Sequence, residues 1–134
     1  VAAAGLTAYL WSPTPAYAVT GGNGEAIVVR VMRLEGADEL ERALRARGVP
    51  ADVTYLPTGR QCAPDRYVPV RTPGLQLSIG SDEFEVTIPA GAVRDGDTFV
   101  LAAAVTAGAD WVSASVVFDV ARGAVSPCRV ITVP

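Results

Sequence analysis

The hydrophobic pattern of this chain changes period along its length. It opens on an unbroken apolar run, VAAAGLTAYLW (1–11). From residue 16 a period of two takes over. AYAVT (16–20) and AIVVRVMR (26–33) flank GGNG, which predicts a β-hairpin. Ile27, Val29 and Val31 share one face of the second strand, and Val28, Arg30 and Met32 the other. The period then lengthens. In LEGADELERALRARGVP, Leu40 and Leu44 stand four apart with Ala37 and Ala43 beside them, a narrow stripe on one helical face. Acidic residues open this segment and arginines close it, Glu41 is spaced to pair with Arg45, and Gly48 and Pro50 stop it. The expectation is a helix over 37–47, then a strand over 51–57. Strand, helix and strand at this spacing read as a compact crossover unit, right-handed if its strands run parallel.

A loop rich in Pro and Gly follows, TGRQCAPDRYVPVRTPG (58–74), with room for a short strand at 67–71. The second half alternates throughout. LQLSI (75–79) turns Leu75, Leu77 and Ile79 inward, and FEVTI (84–88) does the same with Phe84, Val86 and Ile88. TFVLAAAV (98–105) is apolar on both faces and belongs at the centre of a sheet. WVSASVVFDV (111–120) buries Val112, Ala114, Val116, Phe118 and Val120, and RVITV (129–133) makes a final edge strand. The predicted class is α+β: an antiparallel-rich β-sheet system, one packed helix over 37–47, and an apolar N-terminal helix over 2–11. At 134 residues this is one domain, spanning 13–134, behind a separate segment at 1–12.

That front segment admits three readings. At eleven residues it is too short to cross a bilayer, which takes about 20. It nevertheless ends as a span ends, with Tyr9 and Trp11 at aromatic-belt positions and Ser12-Pro13-Thr14-Pro15 behind them. Ala16-Tyr17-Ala18 fits the small-x-small pattern of signal-peptide cleavage, the second reading; a core or interface helix is the third. The first two place the rest of the chain outside the cytoplasmic membrane, and a membrane partner through this segment is expected. Without a bilayer, residues 2–11 would pack between copies in a homo-oligomer, with Leu6, Leu10 and Trp11 at the contact.

Composition narrows the chemistry. The net charge is −3, and all eleven basic residues are arginines, scattered along the chain. No basic stripe interleaved with aromatics is present, so no nucleic acid partner is expected. Histidine and lysine are absent, which removes the usual member of hydrolytic triads and of most zinc sites. No metal and no cofactor is expected, nor an enzyme. Cys62 and Cys128 lie in loop-like flanks and are either a structural disulfide or two free thiols. Asp82, Glu83 and Glu85 read as a solvated strand face beside a turn, Asp95-Gly96-Asp97 as a turn, and Ser113 and Ser115 as an outward face without an activating base. Glycines 21, 22 and 24 precede a strand and cannot cradle phosphate as a P-loop does. Arg60, Arg66, Tyr67 and Arg71, in the long loop, are the candidate contact for an anion or a partner.

Three stretches together, PAYAVTGGNGEAIVVRV, LERALRARGVPADVTYLPTGRQC and FEVTIPAGAVRDGDTFVL with a terminal SPC, resemble the extracytoplasmic domain of actinobacterial single-span membrane proteins encoded beside extracytoplasmic-function sigma factors. The resemblance covers residues 13–134. It implies a regulatory, anti-sigma-like partner role, structural duty for Leu40, Leu44, Gly48, Pro50, Tyr55 and Pro57, a bridge between Cys62 and Cys128, and no catalytic residues. A zinc-type anti-sigma motif of His and Cys is missing, so any sigma contact is expected upstream of Val1. The expected function is a non-catalytic extracytoplasmic sensing or protein-interaction domain of a membrane-anchored envelope regulator. A secreted structural or binding module is the alternative, and a carboxylate-based hydrolase the remote one.

Overall fold

A strand with one apolar face must bury that face, and here two sets of four strands do so against each other. The computed structural model describes residues 15–107 and 109–133. In chain order its elements are β1 (Tyr17–Gly21), β2 (Ile27–Val31), α1 (Ala37–Ala46), β3 (Ala51–Leu56), β4 (Arg60–Cys62), β5 (Val68–Val70), β6 (Gln76–Ile79), β7 (Phe84–Ile88), β8 (Thr98–Ala107), β9 (Val112–Arg122) and β10 (Val130–Thr132). One sheet has the order β1-β2-β7-β6 and is antiparallel throughout. The other has the order β3-β8-β9-β5, with β3 parallel to β8 and the remaining pairs antiparallel. β4 and β10 form a separate two-stranded ribbon. The α+β class expected from the pattern is the class observed.

The core lies between the sheets. Ile27, Val29 and Val31 of β2 and Phe84, Val86 and Ile88 of β7 meet Val53 of β3 and Phe99, Leu101 and Ala103 of β8. Leu40 and Leu44 join the same cluster, both fully buried. Helix α1 lies against β3 and β1, the edge strands of the two sheets, and so closes one side of the sandwich. Its amide end follows Gly36, whose φ of 74° is the left-handed conformation glycine adopts without strain. The β1–β2 turn needs glycine more strictly: Gly21 has φ 84°, and a Cβ there would sit 1.9 Å from the Ala26 carbonyl oxygen.

Three expectations change. β2 and β3 belong to different sheets, so α1 is a bridge between sheets and not a crossover within one. Ile79 is 59% exposed, because β6 is an edge strand and only Leu75 and Leu77 near it pack on the core. The last strand pairs with β4 and joins neither large sheet. The apolar N-terminal helix over 2–11, with Leu6, Leu10 and Trp11, lies outside the described residues. Among the described residues no helix is long and apolar enough to cross a membrane.

Candidate functional site

Strand β8 is buried on both faces. Phe99, Leu101 and Ala103 face the sandwich core, while Val100, Ala102 and Ala104 are buried on the other side. Their cover is the long loop after β3, which folds back over the outer face of the β3-β8-β9-β5 sheet. Three attachments hold it there. The β4–β10 ribbon aligns Cys62 with Val130 and Arg60 with Thr132, and the Arg60 guanidinium donates to the Thr132 hydroxyl. The disulfide Cys62–Cys128 closes beside that ribbon, with Cα atoms 5.0 Å apart. Between the two open alternatives for the cysteines, the bridge is the one formed. Third, the Arg66 side chain, 6% exposed, places Nη2 3.0 Å from Asp52 Oδ1. Its Nε donates to the Ser126 carbonyl at 3.1 Å, and the Ser126 amide donates to the Arg66 carbonyl at 2.9 Å. One arginine thus ties the loop both to β3 and to the segment that carries Cys128.

Between the loop and the sheet is a cleft of about 450 Å³. Leu56, Ala102, Ala104 and Val117 give it an apolar floor; Arg60, Gln61, Tyr67, Ser115 and Asp119 supply the polar rim. The Tyr67 hydroxyl donates to Asp119 Oδ2 at 2.6 Å. Burial raises the Tyr67 pKa far above its usual 10.0, the Asp119 hydrogen bond and charge add to the rise, and Arg66 opposes it. The phenol therefore stays protonated and remains a donor. Each strongly charged group with a described partner here is matched inside the protein, Arg66 with Asp52 and Asp119 with Tyr67. Such an arrangement can hold an apolar or mixed ligand or a peptide side chain.

The four loop residues singled out from the sequence divide. Arg60, Arg66 and Tyr67 line this cleft. Arg66 is largely spent on structure, since its guanidinium is buried against Asp52 and Ser126. Arg71 lies elsewhere, in a separate depression of about 620 Å³ with Arg94, Arg122, Asp95 and Asp97. The acidic strand face is engaged as a surface network: Arg30 lies 2.9 Å from Glu83 and 2.8 Å from Glu85, its cross-strand neighbour. The carboxyl oxygen of Glu83 in that contact is buried and out of line for a hydrogen bond, so its pairing is ionic. The Asp97 amide donates to the Arg94 carbonyl at 2.9 Å and closes the turn, while its carboxylate accepts from the Gly123 amide at 3.3 Å. Ser115 reaches the cleft, and Ser113 is exposed on the same strand. No group of three or more metal-binding side chains occurs among the described residues.

Two partners of the loop escaped the sequence reading, Asp52 and Asp119. Each is a single acid inside an otherwise strand-like apolar stretch, ADVTYL and SVVFDV. That is the usable signal, because a lone carboxylate in such a strand either faces solvent or meets a specific donor. No protein-family model matches the chain, and neither does any curated protein or solved structure.

Proposed function

We propose that this chain is a non-catalytic extracytoplasmic domain of a membrane-anchored envelope regulator, sensing a ligand or contacting a protein partner through the cleft beneath the 57–67 loop. The observation that carries this reading is the Cys62–Cys128 bridge, which pins the cleft's covering loop. Disulfides form and persist in oxidising compartments, outside the cytoplasmic membrane in a bacterium. The cleft supports binding in preference to catalysis: its floor is apolar, Tyr67 is held protonated, and the chain has no histidine or lysine to move a proton near neutrality. In this proposal the apolar run at 1–11 is the outer end of the membrane anchor.

The pairing of β1 favours this reading over the secreted alternative by signal cleavage. Cleavage after Ala18 would remove Tyr17 and Ala18, which pair with Val31 and Arg30 at the start of β1. The fold is better served if those residues stay attached.

The test is to express the full open reading frame in a bacterial host and to fractionate the cells. The proposal expects the protein in the membrane fraction, degraded by protease added from outside the membrane, with Cys62 and Cys128 inaccessible to a thiol reagent until reduction. Recovery from the cytoplasm with both thiols reactive would overturn it.

A further inference from the structure

Beyond Ala104 the β8–β9 pair leaves the sandwich. Strand β3 ends at Leu56, which aligns with Ala104. β8 and β9 stay paired for longer, through Val105–Ala114, Thr106–Ser113 and Ala107–Val112. At about 3.3 Å per residue, this ribbon overhangs the sheet by ~10 Å. Trp111 stands at its tip, 56% exposed, and Val105 at its root is 38% exposed. Trp111, Val105 and Ile79 together put three exposed apolar side chains at this end of the molecule, and apolar surface grouped in this way marks a contact.

The neighbours of the ribbon say what it contacts. At its root, Val105 and Ala114 share a cleft of about 480 Å³ with Met32, Leu34 and Ile79 from the end of the other sheet. The same end receives the chain: Tyr17 aligns with Val31, and the Met32 amide donates to the Ala16 carbonyl at 2.8 Å. Only the stretch 12–16 separates the apolar run from β1, and fully extended it spans at most about 17 Å. A bilayer holding the run would therefore lie within about 17 Å of this end of the sandwich, a distance of which the ribbon covers ~10 Å.

We propose that the β8–β9 ribbon is a second, interfacial membrane contact, in which Trp111 inserts at the headgroup level of the bilayer and Ile79 and Val105 form the apolar surface behind it. This rests on the anchoring reading above. Tryptophan suits that depth, with an apolar body and one N–H donor. The neighbouring charges define the lipid. Asp110 adjoins Trp111 and Asp82 lines the cleft, Arg33 is paired with Glu35 at 3.3 Å, and Arg30 is engaged by Glu83 and Glu85. The arginines lining or flanking this cleft, Arg33 and Arg30, are matched by carboxylates, so insertion is apolar, shallow and indifferent to anionic lipid. The contact would hold the domain at a fixed tilt, with the start of the 57–67 loop, whose Thr58 hydroxyl donates to the Val105 carbonyl at 2.7 Å, beside the ribbon's root.

The experiment uses the full chain carrying Trp11→Phe, which leaves Trp111 as the one tryptophan, reconstituted in phosphatidylcholine vesicles. The expected result is co-flotation with the vesicles and Trp111 emission at shorter wavelength than in the unfolded chain. Most of that emission should be lost to lipids brominated near the headgroup end of the acyl chain, less to deeply brominated lipids, and little to aqueous iodide. Adding phosphatidylglycerol should leave these values unchanged. If the protein floats but iodide alone quenches Trp111, the ribbon is in water; this inference fails while the anchor stands. If neither quencher reaches Trp111, protein covers it, a second copy or another chain, and the lipid contact is refuted. A need for phosphatidylglycerol would refute the apolar mechanism. If the chain does not float at all, the anchoring reading itself fails.

Discussion

Arg66 and Asp52 face each other at 3.0 Å across the seam between the long loop and strand β3, with the arginine side chain all but removed from water. A charge so buried is stable only while it is matched, because desolvation of an unpaired guanidinium exceeds what packing returns. Truncating Arg66 to alanine should therefore lower stability by about 2 kcal/mol, the scale of a lost hydrogen bond to a charged group, softened because Asp52 keeps some solvent access. Arg66→Met combined with Asp52→Asn should recover part of that loss in urea unfolding. If the double variant is no better than Arg66→Ala, the pair is incidental and the loop is held by its backbone.

The bridge from Cys62 to Cys128 spans 66 residues. Closing a loop of that length stabilises the native state by about 4 kcal/mol in the chain-entropy model. Replacing both cysteines with serine should reduce the unfolding free energy by that order. It should also raise amide exchange over 57–67 and 124–132, the two segments the bridge joins. Unchanged exchange there would show that the β4–β10 ribbon and Arg66 suffice.

Leu44 has no exposed surface and lies in the core cluster with Ile27, Val29 and Val31. Leu44→Ala should cost about 2–5 kcal/mol, the range for large-to-small changes in a core that relaxes incompletely. Leu40→Ala should behave alike. A loss below about 0.5 kcal/mol would make α1 a peripheral cover and not a wall of the sandwich.

Two tyrosines define the alkaline limb. Burial pushes Tyr55 from 10.0 up to about 12, with Tyr17 adding to the rise, and its hydroxyl is buried without a hydrogen-bond partner. The folded state holds this proton more tightly than the unfolded chain does. Its contribution is complete below pH 10 and is lost as pH rises toward about 12. Tyr55→Phe should flatten that decline and raise stability at neutral pH by about 1 kcal/mol, since it deletes an unpaired buried polar atom. Tyr67 is raised in the same direction, but Tyr67→Phe should instead cost about 1 kcal/mol at neutral pH, because Asp119 loses its donor. Unfolding curves at pH 7, 10 and 11.5 separate the two. Equal effects of both substitutions at pH 7 would contradict the hydrogen-bond assignment.

Much of the local structure was legible because it depends on neighbours in sequence. The hairpin at GGNG, the helix carrying Leu40 and Leu44, and the two-sided burial of TFVLAAAV all follow from periodicity and turn chemistry, and all are present. Of the site, Arg60, Arg66 and Tyr67 could be singled out as an unusual loop group and do meet in one cleft. Arg71, equally plausible by spacing, faces a different depression, because it follows β5, which pairs along β9 and carries the chain away from the cleft.

What composition and period determined, then, is the strands other than β4, the packed helix, most of the apolar faces, and the absence of histidine and lysine from any site. Tertiary structure alone decided that β2 and β3 part into separate sheets, that α1 bridges them, and that Ile79 emerges at an edge. It also decided that Asp52 answers Arg66 and Asp119 answers Tyr67, partners 14 and 52 residues apart. The reason is physical. A period of two states which side of a strand is apolar and is silent on which strand lies alongside. That choice rests on shape and on pairing buried charges across long separations, and neither leaves a mark in the neighbouring sequence.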